Sequence, residues 1–298
     1  HSILYDDTKG KATGVRVIDA VTKESIEFYA PVIFVNASAL NTNLILLNSK
    51  SSRFPDGLGN DNGLLGKFVA FHNYRARISA EYDGFQDSTT QGRRPTSAYI
   101  PRFRNVFKQE TDFLRGYAAG FSAGRYDEQS HDGLGVTLKE KLAMTKLGHW
   151  RVGSHIMGET IPKATNYVAL DPNATDDWGI PRLKISVDYD DNDEKMVADF
   201  FAQFSEMYTR AGFTNIRTSD SKQAPGLDIH EMGGVRMGND PKTSVVNANC
   251  QAHDVKNLFV ADGGPFVSQA DKNPTWTIMA LAWRTADHIT AQRKAGAL

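Results

Sequence analysis

Residues 230–289 read HEMGGVRMGNDPKTSVVNANCQAHDVKNLFVADGGPFVSQADKNPTWTIMALAWRTADHI. Three features follow one another in this stretch. His230 opens a loop whose Gly233, Gly234 and Gly238 let the backbone take positive φ or run close to another group. NLFVADG then reads as a short apolar strand ending at Asp262-Gly263. Asn273-Pro274-Thr275 reads as a helix start, with Asn as the N-cap and Pro at the first helical position, and the helix runs to about Arg293. Such a start offers free N–H groups and the positive end of the helix dipole, a ready place for an anion. Taken singly, each feature has an ordinary structural explanation. A lone His more often satisfies a buried carbonyl than acts as a base, although its pKa near working pH suits the latter. Asn-Pro accounts for a capped helix without any ligand.

Upstream, residues 12–35 read as strands: ATGVRVIDA, a turn at TKES, IEFYA and the buried run APVIFV. From Ala37 the run SALNTNLILLNS spaces Leu40, Leu44, Leu46 and Leu47 as a helix packed on that strand. A Gly/Asn/Asp-rich loop follows. Between about residues 74 and 190 the alternation in YRARISAEY, NYVALD and PRLKISVDY predicts a largely antiparallel sheet. Residues 192–212 predict a helix with an Asn cap, early acids, an amphipathic stripe and a terminal Gly. Both ends are thus α/β in character and the middle is a sheet with a helix, an order that suits a domain inserted into another.

The 298 residues carry 34 Lys+Arg against 35 Asp+Glu, a net charge of −1, which excludes bulk electrostatic attraction to nucleic acid or anionic membrane. No apolar run is long enough to span a bilayer, and no stretch has a signal-peptide layout. The compartment, periplasm or cytoplasm, stays open. Cys250 is the single cysteine and excludes an intrachain disulfide. His1 is not a start methionine, so the expectation is that further residues precede it.

Motifs for other chemistries fail on spacing. His230-Glu231 lacks the second His four residues on, where Gly234 stands. His155 and Glu159 are four apart but fall in a stretch that reads as strand, so no metal is expected. Gly57, Gly59, Gly63 and Gly66 have no preceding strand and the wrong spacing for a dinucleotide fingerprint, and there is no G-x-S-x-G elbow.

Together, the His loop ending in Arg236-Met237-Gly238, the strand ending in Asp262-Gly263 and the Asn273-Pro274 helix start resemble the C-terminal portion of the glucose–methanol–choline (GMC) oxidoreductases. The likeness is strongest to the bacterial branch with gluconate, sorbitol and fructose dehydrogenase flavoprotein subunits, and more distant to pyranose 2-oxidase. APVIFVNASALNTNLILLNS is similar to a family strand–turn–helix that usually reads Ala-Ala-Gly-Ala and Ser-Pro. Here Ser38 stands for the Gly and Asn43 for the Pro. The resemblance implies a fold of α/β plus α+β type. Residues 1–73 and 225–298 would be parts of an FAD-binding Rossmann-like domain, and residues 74–224 an inserted, mainly antiparallel-sheet substrate domain. The Rossmann fingerprint would lie in an N-terminal half upstream.

The resemblance also implies roles. FAD would be the cofactor. His230 would be the base that takes a hydroxyl proton as hydride leaves for flavin N5, and Asn273 would hydrogen-bond the same oxygen. Thr275 would lie beside the flavin pyrimidine edge, Asp262 and Gly263 near the ribityl and pyrophosphate, and Ala37 at the cofactor turn. Glu159 and Gln269 would be substrate contacts. Sugars, sugar acids or polyols would be substrates of this dehydrogenase. Its partners would be the N-terminal half, a small subunit and a quinone or cytochrome acceptor. The alternative is a flavin-free carbohydrate- or partner-binding module derived from the same fold.

Overall fold

The structure is a computed structural model that describes residues 1–88, 97–127, 133–143, 147–226 and 229–297. Three strands come first, β1 (Ser2–Asp6), β2 (Lys11–Ile18) and β3 (Ser25–Tyr29), followed by β4 (Ile33–Phe34) and helix α1 (Ala39–Asn48). Next are β5 (His72–Asn73), β6 (Ala76–Tyr82), β7 (Ser97–Ile100), β8 (Tyr117–Asp127), α2 (Gly135–Ala143) and β9 (Leu147–Glu159). The chain continues through β10 (Tyr167–Thr175), β11 (Pro181–Ser186), α3 (Asp191–Arg210) and β12 (Thr214–Asp220). It closes with β13 (Leu258–Phe259) and α4 (Thr275–Lys294).

Two units result, the first from residues 1–72, 159–188 and 224–298, the second from 73–158 and 189–223. Residues 159–188, expected within the middle domain, belong to the first unit. Their alternating pattern marks them as strands but does not say against which core they fold. β10 and β11 form an antiparallel hairpin. Val69 N donates to Asn166 O at 3.1 Å and Val168 N to Gly66 O at 2.8 Å. Val168 is buried with Val69 and Phe71, and Leu40 and Leu183 pack beside them.

In the first unit the apolar runs around Ile33 and Leu258 form a parallel pair, β4 with β13. Ile33 N reaches Asn257 O and Val35 N reaches Phe259 O, both at 2.9 Å. The α/β character expected at both ends is therefore reduced, among the described residues, to one short parallel pair with α1, beside the antiparallel meander β1-β2-β3. Ile33, Val35, Leu46, Leu58, Val235 and Val260 are among its core residues. The side chain of Asn257 stitches the meander to this pair. Its Oδ1 accepts from Ala12 N at 3.0 Å, and its Nδ2 donates to Ala12 O at 2.7 Å and Pro31 O at 2.8 Å.

The second unit is an antiparallel sheet in the order β12-β6-β9-β8-β7, with α3 against it. Met196, Phe200, Phe204 and Tyr208 recur at helical spacing on one face of α3 and are buried with Ile78, Tyr117 and Ile156. The α3 cap is Asp190 rather than Asn192. The Asp190 carboxylate accepts from the Asn192 and Asp193 amides, and Asp193 answers from the third position as a capping box. Asn192 is instead spent on Leu114, whose N–H it accepts at 2.6 Å. Helix α2 was not expected from the sequence, and none of its residues is buried.

Candidate active site

The chemistry-bearing loop is held on both sides by backbone. Met232 and Ala70 exchange hydrogen bonds at 2.9 and 3.0 Å, Gly66 N donates to Gly234 O at 2.8 Å, and Gly233 N and Val235 N donate to Gly263 O and Gly264 O at 3.0 and 3.1 Å. The glycines are needed for this close packing. A Cβ on Gly233 would sit 2.2 Å from Phe68 O, and one on Gly234 2.2 Å from Asn43 Nδ2, with both residues at φ above +80°. Asn43, buried in α1, donates to Ala39 O at 2.8 Å and Gly233 O at 3.1 Å, and so fastens the loop to the helix. His230 itself adopts φ 64°, a left-handed conformation that the anchored loop imposes.

Around His230 the first unit gathers three more side chains. Asn273 Nδ2 lies 3.3 Å from His230 Nε2. On the other side of the ring, His230 Nδ1 is 2.9 Å from His72 Nδ1, with the rings edge to face at 4.9 Å. Gln269 Nε2 donates to His72 Nδ1 at 2.9 Å and to the His230 carbonyl at 3.0 Å. His72 Nε2 faces Ala270 O at 3.1 Å. Burial lowers the His230 pKa, and Glu231 partly offsets it. For His72, burial first and then the neighbouring His230 bring the value down to about 3. Both imidazoles are therefore neutral near pH 7.

The structure brings His230 and Asn273 together, and Gln269 with them, but Gln269 clamps the two histidines. Its Oε1 is buried without a hydrogen-bond partner. Glu159 is only 2 % exposed, and its Oε1 accepts from Ser268 Oγ at 2.5 Å, so it braces the loop before Gln269. Asp262 is also turned inward. Its Oδ2 accepts from Thr42 Oγ1 at 2.5 Å and its Oδ1 from Gly264 N at 2.8 Å, and burial raises its pKa. Gly263 packs 3.0 Å, at the Cβ position, from Glu231 O. Ala37 N donates to Thr42 Oγ1 at 2.9 Å, and Ser38 follows at φ 70° as the residue before α1.

The last helix starts differently from the expectation. Thr275 is its first residue, exposed, and Pro274 occupies the cap position with no side-chain cap. The Asn273 side chain is directed to His230 instead of the helix. No acidic residue stands in the first turn. A cavity of about 430 Å³ lies beside this start, lined by Met237, Pro265, Val267, Asn273, Thr277 and Leu281 among others.

His72 was not singled out from the sequence. It sits in the run FVAFHNY, 158 residues from His230, and a single His between apolar residues carries no local mark of a distant partner. Among the described residues no group of three or more His, Cys, Asp or Glu converges as a metal site, and no helix is long and apolar enough to cross a membrane.

Residues 162–282 match the GMC oxidoreductase family. The chain is 34% identical over 294 residues to 2-methyl-1,2-propanediol dehydrogenase of Mycolicibacterium austroafricanum, covering 94% of this chain and 51% of that protein. It is 26% identical to the fructose dehydrogenase large subunit of Gluconobacter japonicus, over 98% of this chain and 53% of that one. A formate oxidase structure from Aspergillus oryzae superposes with a TM-score of 0.67 at 15% identity, covering 99% of this chain and 60% of that one, and so shares the fold. The chain spans about half the length of the curated relatives it matches. Residues 162–282 thus match the GMC oxidoreductase family model, and the chain as a whole is similar to relatives that include a dehydrogenase along 94% of its length.

Proposed function

We propose that this chain supplies the proton-abstracting side of a flavin-dependent site that oxidises an alcohol, the substrate being a sugar, sugar acid or polyol. The observation that carries the reading is the His230–Asn273 pair: Nε2 and Nδ2 are 3.3 Å apart, and Asn273 lines the cavity.

The residues present fit a flavin. The first-turn N–H groups of α4 have no side-chain acceptor, which suits the electron-rich pyrimidine edge of the ring. The cavity has the size and apolar wall of a small-ligand pocket. Gln269 Oε1 is a buried acceptor that a ligand N–H or O–H would satisfy. Thr275 and Ala37 are the residues that would lie against FAD, while Asp262 and Gly263 would act only by shaping the turn. Bound there, FAD would supply the two-electron acceptor, taking the carbinol hydrogen as hydride at N5. His230 Nε2 takes the hydroxyl proton, Asn273 Nδ2 donates to the same oxygen, and the alcohol carbon becomes a carbonyl. Electrons would leave to a quinone or cytochrome, through a small subunit as in a dehydrogenase, and the N-terminal half of the flavoprotein would complete the cofactor site.

The test is His230→Ala in the flavin-loaded protein, assayed with a panel of polyols and sugars and a dye acceptor. The reading expects kcat to fall about 10²–10⁴-fold while the flavin spectrum persists. Undiminished turnover would remove His230 from the chemistry. Saturable sugar binding with no flavin taken up would favour the flavin-free module.

A further inference from the structure

The two histidines are joined by hydrogen bonds whose directions are fixed from outside the pair. The Ala270 carbonyl accepts only, so His72 Nε2, 3.1 Å away, carries its proton. A neutral His72 then has a bare Nδ1. Gln269 gives the same answer independently. Its amide nitrogen is identified by the 3.0 Å contact to the His230 carbonyl, and the remaining hydrogen of that amide points at His72 Nδ1 from 2.9 Å. His72 Nδ1 is thus an acceptor on two counts. His230 Nδ1, 2.9 Å from it, must donate.

We propose that His72 is a positioning residue that holds His230 in the Nδ1–H tautomer, so that the Nε2 lone pair faces Asn273, which itself lines the cavity. The inference rests on the reading of His230 as the base and deepens it. Asn273 agrees with the assignment, because a donor amide at 3.3 Å suits a bare Nε2, and that distance is long enough to yield to a substrate hydroxyl. The backbone is arranged to the same end. Ala270 and His230, whose carbonyls anchor the relay, lie at φ 54° and 64°. Such conformations persist only where the surroundings impose them. The low pKa of His72 keeps its Nδ1 bare across the working range. Charges acting on the pair are those of Glu231 on His230 and Lys272 on His72. Once Nε2 has taken a proton, the His72 lone pair remains aimed at the Nδ1–H of the resulting imidazolium.

The relay is read directly from long-range ¹H–¹⁵N spectra of the histidine-labelled 298-residue chain, with no flavin or substrate present. The expected spectrum shows His230 with a protonated Nδ1 and an unprotonated Nε2. In His72→Leu, which removes the acceptor, His230 should shift to a mixture or to the Nε2–H form. His72→Asn keeps an acceptor oxygen near the Nδ1 position and should restore the wild-type pattern. An Nε2–H His230 in the wild-type chain overturns the proposal without any variant, as does a His230 tautomer unchanged in folded His72→Leu. In the flavin-loaded protein, His72→Leu should lower kcat about 10²–10⁴-fold with KM little changed, and His72→Asn should recover most of it. A correct tautomer together with full activity in His230→Ala would leave the relay standing and remove the catalytic reading instead.

Discussion

Replacing Gly234 by Ala probes the packing that aims the loop. At φ +84° a Cβ costs about 1–2 kcal/mol of backbone strain. The added carbon would also lie 2.2 Å from Asn43 Nδ2 and 2.4 Å from its Oδ1, so the whole amide has to leave. Asn43 is fully buried and would lose its bonds to Ala39 O and Gly233 O, at about 1–3 kcal/mol each. The sum is roughly 3–8 kcal/mol of lost stability, read by urea unfolding. A double-mutant cycle separates the terms. In an Asn43→Ala background the clash with the amide is gone, and Gly234→Ala should cost only the strain of about 1–2 kcal/mol. A cost below about 1 kcal/mol in the native background would refute the argument. So would an equal cost in both backgrounds.

Asn257→Ala should destabilise the first unit by about 3–5 kcal/mol, because it strips the partners from Ala12 N, Ala12 O and Pro31 O, and urea unfolding would show it. Asp190→Ala should cost the second unit about 1–2 kcal/mol through loss of the α3 capping box, read as faster amide exchange in the first turn of the helix; unchanged exchange would contradict the assigned cap. His72 binds a proton only near pH 3 in the folded chain against 6.5 ordinarily, so the stability due to its neutral form is complete above pH 6.5 and lost as pH falls toward 3. Wild type should therefore lose about 2 kcal/mol more than His72→Asn between pH 7.5 and 5, and equal losses would refute the depressed value.

The sequence was informative where one local pattern had one physical outcome. The amphipathic stripe of α3 and the apolar runs of β4 and β13 folded as read, because burying those faces leaves little choice. The Asn273-Pro274 start went astray because two demands met on one side chain, and the hydrogen bond to His230 took precedence over the cap. Glu159 reads as a candidate substrate contact, but polar residue type alone does not distinguish a group facing a ligand from one bracing a loop, as Glu159 does through Ser268. Helix α2 lies in a stretch whose neighbours alternate as strands, and it buries nothing that would mark it. His230 and Asn273 were legible through three ordered motifs, whereas His72 needed the fold to bring it across the sequence.

The parallel pairing of β4 with β13 sets a timetable for synthesis. Asn36 Oδ1 accepts from Ala261 N at 2.8 Å across 225 residues of chain, so the strand that follows the meander waits for its neighbour. At about 5–20 residues per second that wait lasts roughly 10–45 seconds. The second unit, complete once residue 223 has emerged, has all its strands before the first unit can close. During the interval the apolar residues Ile33 and Val35 stand exposed on a nascent chain, where ribosome-proximal chaperones have their opportunity. A stall placed between residues 224 and 257 would lengthen that interval and favour misfolding of the first unit over the second.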